Sequence, residues 1–213
     1  QLVITKRPKD TMYMPAVLDD DPELFVIYLL RDPRDTICSR HGKDKSIYYS
    51  NIRLWRQMHG YARQMQGHER FLEVRYEDFV SNPDATQQMI MNHFPWLENT
   101  HAFSEYHEYA QVSEKSKTAM HSVRPIAPTS VGRWRQNLGR IKAQQMIHGS
   151  LTPELIECGY EDSDAWEKVL DDVEPDTTRS LYPEKLYLWR RISQTLDARR
   201  KVARYRRMRR TSS

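Results

Sequence analysis

Residues 24–30, LFVIYLL, are apolar without a break, and Pro22 and Pro33 bound the run. A continuous run with β-branched and aromatic members reads as a central parallel strand, buried on both faces. LVIT (2–5) has the same character in shorter form, and RFLEVRYEDF (70–79) supplies a third strand candidate. Between and after these runs the pattern turns helical. TMYMPAVLDDD (11–21) reads as a short helix or turn limited by Pro15. Pro33 opens a helix, since proline is tolerated in a first turn. A longer helix is expected over roughly 46–66, with Ile47, Ile52, Trp55, Met58 and Ala62 on its apolar face. NPDATQQMIMNHF (82–94) places an Asn cap and a first-turn proline before an apolar stripe. Residues 95–130 are polar and irregular. Another short helix is expected over 152–160, with Thr152 as cap and Gly159 just past its end. A basic helix is expected from about 181 to 210.

Strand, helix, strand, helix in that order predicts an α/β fold with a mostly parallel sheet. Ligands of such sheets sit at the carboxyl ends of the strands, where loops meet helix N-termini. RDPRDTICSR (31–40) occupies that position. Arg31 ends the strand and aims a planar fork toward the crevice, and Ser39 offers a hydroxyl one and a half turns along the following helix. Fork, hydroxyl and helix start together suit a phosphate. The alternative is a surface cluster, Arg31 with Asp35 or Asp32 with Arg34, that only caps the helix.

Composition narrows the classes. The 213 residues are 38% hydrophobic and 29% charged, which fits one domain with a core and an appendage. No run of 18 apolar residues occurs. The first residue is Gln1, and the opening reads as the middle of something, so a preceding segment is expected. Cys38 and Cys158 have no metal spacing and read as reduced structural thiols, which favours a cytoplasmic setting. The net charge of +4 is uneven. Residues 185–213 carry 11 basic residues against Asp197 alone, a net +10, which leaves −6 on residues 1–184. The division expected is an α/β domain over 1–175 and a basic helical extension over 176–213.

The segment FVIYLLRDPRDTICSR resembles the 3′-phosphate-binding segment of sulfotransferases that use 3′-phosphoadenosine 5′-phosphosulfate (PAPS). TKRP (5–8), VRYEDFVSNP (74–83), SVGRWRQNL (130–138) and ECGY (157–160) resemble further segments of the same family, in the same order. The resemblance implies a P-loop-like parallel sheet flanked by helices, incomplete at its N-terminus, and a metal-free transfer of a sulfuryl group from PAPS. The acceptor would be a hydroxyl or amine of a small molecule or carbohydrate. By resemblance, Arg31 and Ser39 bind the cofactor's 3′-phosphate. Tyr76 lies near the adenine or is a core tyrosine, and Glu77 and Asp78 buttress the helix start. Gly132, Arg133 and Trp134 belong to a loop over the nucleotide, with Trp134 an apolar anchor, a stacking ring or both. Lys6 stands where cytosolic members carry a catalytic histidine, and either stabilises charge, which suits it better than proton abstraction, or is a surface lysine in a turn.

Two departures from the family pattern stand out. Residues 127–129 read Ala-Pro-Thr where cytosolic members carry Arg-Lys-Gly, which leaves Arg124 or Arg133 as substitutes. A Gly-rich 5′-phosphosulfate loop is absent, and none of the seven glycines clusters to make one. His41 is an internal candidate base, and residues 101–122 are the expected acceptor-side loops. A sulfotransferase-like binding module without turnover and a nucleotide kinase are the competing readings. The kinase would need a Gly-rich loop with Lys-Ser or Lys-Thr and an acid for magnesium. The Arg-rich end reads as a solvated helix packed on the body or on a second subunit, or as a contact to an acidic membrane surface. No nucleic-acid partner is expected, since no aromatic stacking platform accompanies it.

Overall fold

A computed structural model describes residues 3–6, 8–111 and 123–212. After a 3-10 turn at Pro8–Met12, the elements are α1 (Met14–Val17), β1 (Val26–Leu30), α2 (Pro33–Ile37), α3 (Ile52–Arg63), β2 (Phe71–Arg75), α4 (Tyr76–Ser81), α5 (Pro83–His93), α6 (Tyr106–Tyr109), α7 (Leu138–His148), α8 (Thr152–Glu157) and α9 (Leu188–Ser212). Strands β1 and β2 pair in parallel, with Val26 opposite Phe71 and Leu30 opposite Arg75. The fold is therefore mixed α/β, with a small two-stranded parallel sheet among the described residues and helices packed around it.

Over its described residues, 3–5, the strand expected at 2–5 does not form. Residues 3–6 have no regular structure, and Val3 and Ile4 are largely exposed. Apolar character alone does not make a strand, because a strand needs an edge to pair with. β1 also differs from a strand buried on both faces. Val26, Tyr28 and Leu30 turn inward, whereas Ile27 and Leu29 are about half exposed. The third candidate divides at Tyr76, where β2 passes directly into α4.

The expected long helix begins later, at Ile52. Asn51 is extended and accepts a hydrogen bond from Leu54 N at 2.9 Å, which fixes the start. Residues before it are committed elsewhere: Tyr48 bridges to both Arg40 and Ser180. Pro15 lies within the first turn of α1 and starts that helix rather than limiting it. Asn82 caps α5 as expected, accepting from Ala85 N at 3.2 Å. α8 starts at Thr152, one residue earlier than a Thr152 cap implies, and the Thr152 hydroxyl donates to Glu167 instead. α7 has no counterpart among the sequence-derived elements.

One core joins Ile37 and Cys38 to Ile52, Trp134, Ile141, Leu155 and Trp166. A second packs Leu18, Ala62, Met65 and Phe71 beneath the sheet. Both cysteines are buried and unpaired. Burial pushes their thiols up, Cys38 to about 12 and Cys158 to about 11, so neither is a ready nucleophile.

Residues 176–184, assigned by the sequence pattern to the C-terminal extension, are tied into the body. Arg140 is almost wholly buried and donates to Ile37 O, Ser50 O, Thr178 O and the Ser180 hydroxyl at 2.6–3.4 Å. Glu184 completes the tie. Burial disfavours its carboxylate, but His148 at 2.9 Å, the Ser180 hydroxyl at 2.6 Å and the Arg140 charge outweigh that and hold its pKa below the usual carboxylate range. A lowered folded-state pKa contributes stability that is present above the unfolded value and lost as pH falls through the folded one. Glu184→Gln is therefore expected to flatten the acid limb of stability against pH. Urea midpoints measured from about pH 7 down to about pH 3 check this, and parallel profiles for wild type and variant would refute it.

Candidate functional site

The turn from β1 into α2 is built from its own charges. Asp32 caps α2 by accepting from Arg34 N at 2.8 Å. The Arg34 side chain then folds back onto the Asp32 carboxylate, with Nη2 to Oδ2 at 2.8 Å, and its Nη1 reaches Glu161 Oε1 at 2.5 Å. Its guanidinium lies 4.0 Å from the Trp134 ring centre and 4.8 Å from that of Trp166. Asp32 and Arg34 thus do cap the helix, but as a buried network rather than a surface cluster.

Arg31 behaves differently. Its Nη2 donates to Ser130 O at 2.5 Å and lies 3.8 Å from Asp35 Oδ2. Its guanidinium rests on the Tyr76 ring at 4.5 Å. These contacts fix the fork. Yet its Nε is buried with no hydrogen-bond partner among the described residues. That atom is closed to solvent, so an arriving anionic oxygen would meet the part of the Arg31 side chain that stays 22% exposed.

Asp35 is the hub of the surrounding site. It is buried, and its two carboxylate oxygens accept from Gly132 N at 2.7 Å and Trp134 N at 2.8 Å. Its carbonyl accepts from the Ser39 hydroxyl at 2.9 Å. One residue of α2 therefore holds Arg31, Ser39 and the 130–136 loop together. Burial raises the Asp35 pKa above the usual carboxylate range, against the two N–H donors and the Arg31 charge, which pull it down. Gly132 sits at φ +71°, a left-handed conformation that L side chains rarely adopt, and so lets the loop turn into a 3-10 segment at Arg133–Gln136.

The far side of the turn is braced by β2 and the chain after α8. Glu77 accepts from Asp32 N at 3.0 Å and from the Tyr160 hydroxyl at 3.0 Å. Arg75 donates to Cys158 O at 2.6 Å and stacks on the Tyr160 ring at 4.3 Å. The chain segments 31–39, 74–77, 130–134 and 157–160, scattered in sequence, thus meet in one place.

Six of the seven residues singled out from the sequence lie in this neighbourhood. Arg31, Ser39, Gly132 and Trp134 all contact Asp35, and Tyr76 lies under Arg31. Arg133 is exposed and folds back to Thr129 O at 2.8 Å. Trp134 is buried, edge-on to Trp166 at 5.9 Å, in the position of a loop anchor. Lys6 is exposed on the irregular stretch 3–6, outside the Asp35 network. His41 is half-buried, and its Nδ1 accepts from Asp44 N at 3.1 Å. Residues 112–122, the second half of the expected acceptor-side segment, lie outside the described residues. Asp35 itself was legible only as the i, i+4 partner of Arg31. Among the described residues no group of three or more His, Cys, Asp and Glu side chains is placed to hold a metal ion, and no helix is long and apolar enough to cross a membrane.

Residues 1–96 match the model of a sulfotransferase family, a span that contains β1, α2, α3, β2, α4 and α5. The resemblance read from the first three motifs is borne out over that span, while SVGRWRQNL and ECGY lie beyond it. No curated protein and no solved structure matches the chain.

Proposed function

From a chain whose residues 1–96 carry a sulfotransferase-family segment, we propose a PAPS-dependent sulfotransferase acting on a hydroxyl or amine of a small molecule or carbohydrate. The single observation that carries the nucleotide half of this reading is Arg31. Its guanidinium is held by Ser130 O, Asp35 and the Tyr76 ring while its side chain stays partly exposed, at the carboxyl end of a parallel strand. That geometry fits an anion such as the 3′-phosphate of the nucleotide. Ser39 adds a hydroxyl, and Asp35 holds the 130–134 loop over the same ground. The two strands and their helices are, on this reading, the described part of a larger P-loop-like sheet.

The nucleotide would supply the sulfuryl group, whose bond to the donor oxygen breaks as a bond to the acceptor forms, the acceptor's proton leaving to a base. The chain's residues described above bind and orient. Rigid cationic donors matter most where charge spreads in such a transfer. No step is assigned to Lys6. Its place outside the Asp35 network favours the second reading, a nucleotide-binding module without turnover.

Calorimetric titration of adenosine 3′,5′-bisphosphate tests the proposal. Saturable binding without magnesium is expected, weakened in Arg31→Ala by about 1.5–3 kcal/mol, the range for a lost charge-assisted contact. The absence of binding to the folded wild-type chain, or equal affinity in Arg31→Ala, would overturn it.

A further inference from the structure

α9 uses only one of its faces to hold the body. At 100° per residue, Ala198, Val202, Tyr205 and Arg209 form one stripe, and these are the helix residues that are partly buried among those described. Around that stripe the helix is clamped to acids. Arg206 meets Asp20 at 2.6 Å, Arg209 meets Asp21 and Glu23 at 2.7 Å, and Tyr205 bonds Asp21. Lys201 donates to the Tyr13 hydroxyl at 2.9 Å.

The opposite face carries exposed apolar residues. Trp189, Ile192 and Leu196 are spaced i, i+3, i+7 and are 61%, 52% and 47% exposed. They share one shallow hollow of about 470 Å³ with Arg200 and with Asp197, whose charge Lys201 meets at 3.5 Å. Arg204 continues the same outward face, and Arg190 lies against the Trp189 ring at 5.2 Å. A soluble surface gains nothing by exposing a tryptophan, an isoleucine and a leucine in a row.

We propose that this outer face of α9 is a docking surface for an anionic lipid membrane, with the helix lying in the interface and the body above it. The charge favours that occupant. Residues 185–213 carry a net +10, far more than the acids at 20–23 neutralise. The apolar row supplies what a purely polyanionic partner has no use for: side chains that enter the acyl boundary, with Trp189 at headgroup level. A second copy is a poorer occupant, because pairing two such faces sets one cationic helix beside another.

Co-sedimentation with phosphatidylcholine vesicles, with and without phosphatidylserine, tests this. The full chain is expected to partition onto the phosphatidylserine vesicles and not onto the neutral ones. Arg200→Gln with Arg204→Gln should weaken partition roughly 25-fold, about fivefold for each arginine removed. Trp189→Ser, Ile192→Ser and Leu196→Ser together should weaken it at least about tenfold. Circular dichroism would confirm that both variants keep their helix. No partition, or a triple variant that binds as wild type does, overturns the proposal. So does a concentration-dependent dimer seen by light scattering, abolished in the triple variant, in a chain that ignores vesicles.

Discussion

Arg34→Ala is expected to cost about 3–5 kcal/mol of stability, the range for removing one partner of a buried ion pair. The guanidinium is almost wholly buried, bonded to Asp32 and Glu161, and packed between two tryptophan rings. Its loss strands the Asp32 carboxylate and leaves a hole beside Trp134 and Trp166. Single domains have only about 5–15 kcal/mol in hand, so the variant should sit near its unfolding midpoint under mild conditions. Urea unfolding followed by tryptophan fluorescence measures this. Arg34→Met with Asp32→Asn should recover part of the loss, because the buried Asp32 charge goes with its partner, Glu161 keeps 24% exposure to water, and Asn still caps α2. If Arg34→Ala alone unfolds like wild type, the buried network is not a support of the fold.

Asp35→Ala is expected to act on the loop and the ligand together. It removes the acceptor for Gly132 N and Trp134 N, each donor left unpaired costing about 1–3 kcal/mol, for a total of about 2–6 kcal/mol. The loop should detach, Trp134 should become accessible to a fluorescence quencher, and binding of adenosine 3′,5′-bisphosphate should fall by at least about tenfold. Simple electrostatics points the other way, since deleting a negative charge 3.8 Å from Arg31 ought to help an anion. The two accounts are therefore separable. Tighter nucleotide binding in Asp35→Ala, with Trp134 still shielded, would mean that Asp35 opposes the ligand and does not organise the site. Asp35→Asn keeps one acceptor and should fall between wild type and alanine.

These two residues differ in how much their surroundings said in advance. The sequence by itself determined what depends on near neighbours. Asp32 followed by Pro33, and Asn82 followed by Pro83, set the starts of α2 and α5, because a capping side chain and a proline act within three residues. The apolar run ending at Arg31 located β1 and with it the strand end where the motif lies. The order of short motifs pointed to a family that matches residues 1–96.

Only the tertiary structure decided which charges would be buried and which would remain open. Arg34 is paired with a residue 127 positions away, and Asp35 with Gly132 and Trp134, 97 and 99 positions away. Nothing in the local pattern of RDPRDTICSR separates Arg31, whose side chain stays 22% exposed, from Arg34, buried between two carboxylates. The same holds for LVIT and for the outward row of β1, whose apolar residues read as buried. Periodicity reports that a face is apolar, but burial depends on what the rest of the chain brings against it. That is settled by packing over long sequence separations, not by the residues of the face itself.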